Sequence, residues 1–111
     1  MDRAIELAEN FAVKPQEVKS NIKENQIFVG SKPFMRYVRT AEILLRNKNL
    51  KIISIRGRGV CIGKAVDLAE AIKNKFCADL KLAMAISTST EKFMKDDREF
   101  SVSVIELNLK R

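Results

Sequence analysis

Two short stretches of this chain hold the residue types that handle anions. Arg56-Gly57-Arg58-Gly59 and the following Gly63-Lys64 set three cations among three glycines. Glycines at such a place let a backbone approach phosphates closely. Gly30-Ser31-Lys32-Pro33 sets a lysine beside a proline suited to the first turn of a helix. Backbone N–H groups and the positive end of the helix dipole would add to the charge of Lys32 there, with Ser31 placed as the cap. Other chemistry is thinly supplied. The chain has no histidine, which excludes Ser-His and Cys-His nucleophile pairs and any histidine-based metal site. Its two cysteines, Cys61 and Cys77, match no zinc spacing, and the acids are scattered, most of them beside a lysine or arginine. The expectation is a binding protein, not an enzyme, with no metal and no cofactor.

Gly57-x-Gly59-x-x-x-Gly63 between a strand and a helix also invites a dinucleotide-binding reading, and Asp79 falls about twenty residues further on. The chain has too few strand–helix units for two nucleotide-binding halves. Arg56, Arg58 and Lys64 suit a polyanion better than a neutral adenosine. A phosphate-binding Walker loop fails as well, because its first glycine is misplaced and Ala65 stands where Ser or Thr would hold magnesium.

The charge distribution sharpens this. Of 111 residues, 46% are hydrophobic and 32% charged, a globular balance for one domain, and the net charge is +7. Residues 1–26 sum to −1 and residues 65–111 to zero. Ile27 to Lys64 holds nine basic residues against Glu42 alone, so the whole positive excess lies in about a third of the chain. A block this lopsided calls for an anionic partner. No run approaches about eighteen apolar residues, and the start has no apolar leader, so neither a membrane span nor a secretory signal is expected. With two cysteines, a reduced intracellular protein is expected.

Elements must bring these stretches together. Residues 1–24 read as an appendage, weakly helical through Ile5, Ala8 and Phe11 with Asp2 as cap and interrupted at Pro15. Residues 25–111 read as the domain. Gln26 to Gly30 is a strand. Pro33 opens a helix running through Asn47, with Phe34, Val38, Ala41 and Leu45 on one face and Arg36, Arg39 and Arg46 within about 80° of one another opposite. Leu50 to Arg56 is a second strand. A second helix, roughly Cys61 to Phe76, follows the Arg-Gly loop with Ile62, Ala65, Val66, Ala69, Ile72 and Phe76 as its stripe. Leu80 to Thr90 alternates as a third strand, Glu91 to Glu99 reads as a polar connection, and Phe100 to Leu109 is the last strand. Its apolar phase slips at Val104-Ile105, which predicts a bulge or strong twist. The order β-α-β-α-β-β is an α/β two-layer sandwich. With neighbouring parallel strands, both basic loops leave one sheet edge, and Lys32, Arg56, Arg58 and Lys64 are expected to converge on one ridge.

Gly-Ser-Lys-Pro-Phe-Met-Arg-Tyr-Val (30–38), Ile-Arg-Gly-Arg-Gly (55–59), Gly-Lys-Ala-Val-Asp (63–67) and the closing Val-Ile-Glu-Leu resemble the Alba family of small chromatin and RNA-binding proteins, over roughly residues 25–111. The resemblance implies the Alba β-α-β-α-β-β fold with a four-stranded mixed sheet. It also implies sequence-nonspecific binding of double-stranded DNA, structured RNA or both, in an architectural, chromosome-associated role in the cytoplasm. It implies a homodimer, or a heterodimer with a paralogue. By position, Lys32, Arg56, Arg58 and Lys64 match basic positions of the family, and Phe76 matches a dimer or dimer–dimer contact. Arg36 and Arg39 on the first helix are expected to contribute to nucleic-acid binding. The chain departs from the family at Ser31, which replaces the first lysine of a pair, at Val60, where relatives often carry arginine, and in the hairpin arm, whose net charge is −1. Phe93-Met94 within that arm could serve as an apolar wedge. A different class of function, a protein-interaction or assembly subunit of a ribonucleoprotein particle, would leave the basic face subordinate.

Overall fold

The computed structural model describes residues 25–111; the expectations made for the appendage, residues 1–24, lie outside the described residues. The elements are β1 (Gln26–Phe28), α1 (Phe34–Glu42), β2 (Ile52–Arg58), α2 (Ile62–Ala71), β3 (Ala83–Lys95) and β4 (Arg98–Lys110). Each helix ends in a π-helical turn, Ile43–Asn47 after α1 and Ile72–Phe76 after α2. A 3₁₀ turn, Gly59–Cys61, leads into α2. The sheet order is β1-β2-β4-β3, with β1 parallel to β2 and the other pairs antiparallel. The parallel β1–β2 pair requires a crossover, and α1 supplies it. This is the expected α/β sandwich with a four-stranded mixed sheet.

Alternation along the strands decides which side the helices cover. Ile53 and Ile55 of β2 lie opposite Leu109 and Leu107 of β4, and all four are fully buried. Against them pack Val38, Ala41 and Leu45 from the first helix and Ala65, Leu68, Ala69 and Ile72 from the second. The opposite face carries Ser54, Arg56 and Arg58 beside Asn108, Glu106 and Val104, with Ser54 and Val104 buried. Ser54, buried on that side, donates its hydroxyl to the Asn108 side-chain oxygen, so its polar group is satisfied.

Three local expectations are corrected. Helix α1 starts at Phe34 with Pro33 in the flanking position, and no side chain caps it, so Ser31 is not the cap. Glu91 to Glu99 is not a polar connection but the end of the hairpin arm that the family resemblance implied: β3 runs on to Lys95 and β4 begins at Arg98. Asp96 and Asp97 alone make the turn, with φ of 53° and 63°. Left-handed backbone at both positions is that of a type I′ hairpin turn, which aspartate tolerates better than most residues. Nor is there a bulge at Val104-Ile105, since pairing with β3 continues without a skip from Arg98 to Lys110. The apolar phase changes because burial changes sides. Ile105, Leu107 and Leu109 lie under the helices. Beyond the end of β2, only β3 and β4 continue as a two-stranded arm. Its apolar side is the face away from the helices, where Phe93 and Phe100 stack with ring centroids 5.6 Å apart.

Arg46 leaves the basic group expected on the first helix and serves the fold. Its guanidinium grips both carboxylate oxygens of Asp79 at 3.0 and 2.8 Å and donates to the Phe76 carbonyl at 2.9 Å. It thereby ties the end of the first helix to the segment after the second. The hydrogen bonds from Arg46 pull the Asp79 carboxyl down to about 2. A depressed carboxylate stabilises the fold at pH values above its unfolded range and loses that contribution as pH falls through its folded value. Wild-type stability is therefore expected to fall between about pH 4 and pH 2, and less steeply in Asp79→Asn, as acid titrations followed by circular dichroism can measure. Identical acid profiles would contradict the linkage.

Candidate nucleic-acid interface

The two basic loops do meet at one sheet edge. The Val29 N–H donates to the Arg56 carbonyl at 2.9 Å, so the chain leaves β1 alongside the end of β2. Gly57 allows α2 to follow at once. A Cβ there would stand 2.7 Å from the Cys61 carbonyl oxygen and 2.8 Å from the Ala65 Cβ. Its bare α-carbon is filled by the helix, so Gly57 serves packing and not close approach to a phosphate. Gly59 has φ of +53°, the left-handed turn that reverses the chain into α2. Among the described residues nothing lies within 4 Å of where a Gly63 Cβ would stand.

The side chains divide where the backbones converge. Because Gly57 faces α2, its neighbours Arg56 and Arg58 point to the sheet face away from the helices. There the Glu91 carboxylate sits between them, 3.4 Å from Arg56 Nη2 and 3.2 Å from Arg58 Nη2. Glu106 approaches Arg56 at 3.9 Å. Lys64 turns the other way. Its ammonium donates to the carbonyls of Gly30 at 2.8 Å and Lys32 at 2.6 Å, and lies 5.2 Å from the centroid of the Tyr37 ring. The Tyr37 hydroxyl accepts from the N–H groups of Gly30 and Lys32 at 2.8 and 3.2 Å. The N–H groups of Gly30 and Lys32 are thus engaged by a side chain of α1.

The expected single ridge of four cations is therefore corrected to two groups. The Lys64 ammonium is held at the Gly30–Lys32 loop, while Arg56 and Arg58 share a carboxylate on the sheet face away from the helices. Arg36 and Arg39 are exposed on α1. Phe76 is half-buried against the core, with the Lys75 ammonium 5.3 Å from its ring centroid. Val60, at the tip of the turn before α2, is wholly exposed, as is over half of Met35 on α1.

Tyr37 and Glu91 are the residues that sequence reasoning missed. Tyr37 adjoins the apolar stripe of α1 and reads as core. Glu91 becomes legible only through strand register: Arg58 lies opposite Val104, which lies opposite Ser89, and Glu91 is two residues along the same face.

Comparison with known proteins agrees with this architecture. The family model described as Alba matches residues 25–87. The chain is 40% identical over 90 residues to the DNA/RNA-binding protein Alba of Methanocella arvoryzae, covering 80% of this chain and 92% of that one. It is 42% identical to the DNA/RNA-binding protein Alba of Picrophilus torridus, covering 80% and 98%. Among solved structures, Alba from Thermoplasma volcanium superposes with a TM-score of 0.68 at 41% identity, covering 78% of this chain and all of that one. A Trypanosoma brucei Alba protein shares the fold at a TM-score of 0.62 and 19% identity, covering 81% and 71%.

Proposed function

The chain belongs to the Alba family, and from that membership we propose that it binds double-stranded DNA, structured RNA or both without sequence specificity, through a basic surface of a dimer. The observation that carries this reading is the block from Ile27 to Lys64, nine basic residues against one acid. Lys32 on its loop and the exposed Arg36 and Arg39 on α1 make the first phosphate contacts. Arg56 and Arg58 join them by exchanging the Glu91 carboxylate for a phosphate oxygen. That exchange is reasonable because guanidinium groups bind both anions with the same fork of donors. Phosphate contacts of this kind position a protein on nucleic acid without reading bases. Two-fold symmetry doubles the cationic surface and lets it span several phosphates. Phe76 is proposed as a contact within or between such dimers. The role is architectural, chromosome-associated and cytoplasmic.

Binding of the wild type and of Lys32→Ala/Arg58→Ala to mixed-sequence duplex DNA and to a hairpin RNA tests this. Both nucleic acids are expected to bind the wild type, with little effect of scrambling their sequence. The double variant is expected to bind about ten-fold or more weakly at low salt. Equal affinity of variant and wild type would remove these residues from the interface.

A further inference from the structure

The three residues Gly30 to Lys32 are gripped from two directions by side chains outside the loop. From α1, the Tyr37 hydroxyl accepts the N–H groups of Gly30 and Lys32. From α2, the Lys64 ammonium donates to the carbonyls of the same two residues and rests on the Tyr37 ring. The N–H and C=O of Gly30 and of Lys32 are thus all engaged, by one phenol and one ammonium that also touch each other. With two of its three N–H donors on carbonyl oxygens and an aromatic ring beside it, the ammonium has at most one donor left, and turning it fully to a phosphate would cost these contacts.

We propose that Tyr37 and Lys64 are positioning residues: they lock the Gly30–Lys32 loop in the form that presents Lys32 to nucleic acid, and Lys64 does not itself contact phosphate. The inference rests on the nucleic-acid reading above and assigns a role within it. Two physical effects act together. A loop ordered in advance loses less conformational freedom when it binds. The ammonium also offsets the partial negative charge of two carbonyl oxygens that would otherwise sit beside the incoming phosphate.

The test uses the full chain, a mixed-sequence duplex DNA and the variants Lys64→Met, Tyr37→Phe and Lys32→Ala, with each of the first two also combined with Lys32→Ala. Lys64→Met is expected to weaken binding ~3- to 10-fold, the scale of one or two lost hydrogen bonds. Tyr37→Phe is expected to weaken it in the same way although no charge is lost. In the Lys32→Ala background both effects should vanish, because they act through Lys32. Lys64→Arg, which keeps charge and donors, should recover most of the affinity. Amide hydrogen exchange of Gly30 and Lys32 should accelerate in Lys64→Met and in Tyr37→Phe. An undiminished loss from Lys64→Met in the Lys32→Ala background would overturn the proposal and make Lys64 a phosphate ligand. Unchanged amide protection in both variants would overturn it too. A wild type that binds neither duplex DNA nor hairpin RNA would instead remove the nucleic-acid reading, and amide exchange would then decide the clamp alone.

Discussion

Glu91→Gln is expected to tighten nucleic-acid binding about 3- to 10-fold at low salt, a gain of function from removing one charge. Glu91 lies 3.4 Å from Arg56 and 3.2 Å from Arg58, so a phosphate reaching either guanidinium must displace its carboxylate. Glutamine keeps the size and a carbonyl acceptor but not the charge. Near the surface, where the Arg56 and Arg58 side chains are 27% and 29% exposed, a unit charge at such a distance is worth about 1 kcal/mol. That converts to the stated range. The fold should tolerate the change, since exposed ion pairs contribute about 0–1 kcal/mol. The gain should shrink as salt screens the arginines. If Glu91 instead aims the two arginines at the phosphate, the same substitution weakens binding. Competition titrations of the two proteins against one labelled duplex separate these outcomes by sign.

Gly57→Ala should have the largest effect on stability. The new Cβ would meet a backbone carbonyl oxygen at 2.7 Å and the Ala65 Cβ at 2.8 Å, and neither is the end of a flexible side chain. The start of α2 must move away from β2. Overpacking of this kind costs about 1–3 kcal/mol, or roughly 5–20 °C in melting temperature for a domain of this size. Lys64 rides on the displaced turn, so its hold on the Gly30–Lys32 loop should loosen as well. Gly63→Ala is the matched control. Among the described residues nothing lies within 4 Å of its Cβ position, and it sits inside the helix. There, alanine should be neutral or stabilising by up to about 1 kcal/mol. Thermal denaturation of the two variants beside wild type checks both, and a Gly57→Ala protein melting with the wild type would contradict the packing role.

Much of the fold was legible because it depends on local pattern. The isoleucines of β2 and the stripe Val38–Ala41–Leu45 each declare one element and its buried side, and the alternation from Leu82 to Ile86 declares a strand, although Ile86 is exposed. The arm was not legible in the same way. Its β3 half is a polar run from Ser87 to Lys92, no glycine marks the turn, and the two aspartates that turn the chain look like any charged loop. The phase change at Val104-Ile105 was visible but suggested a bulge. Its cause is where the helices stop, which only the assembled layers reveal. The site was legible to the level of backbone. Both basic loops reach one edge, as the parallel β1–β2 pair requires. Side-chain direction was lost because it turns on a single contact: Gly57 faces α2, so Arg56 and Arg58 must face away. The partners that then redistribute the charge, Glu91 and Tyr37, sit far from the basic stretches in sequence or inside an apolar stripe.

The central claim is that clustered cations of this chain replace counterions on a phosphate backbone. The affinity of the wild type for duplex DNA, measured across a series of salt concentrations, tests it most directly. Each phosphate neutralised should add ~0.9 to the steepness of log affinity against log salt. A steep fall is expected for the wild type, and a slope shallower by up to about 2 for each protomer bound in Lys32→Ala/Arg58→Ala. A flat response in the wild type, or the same slope in both proteins, would contradict the account.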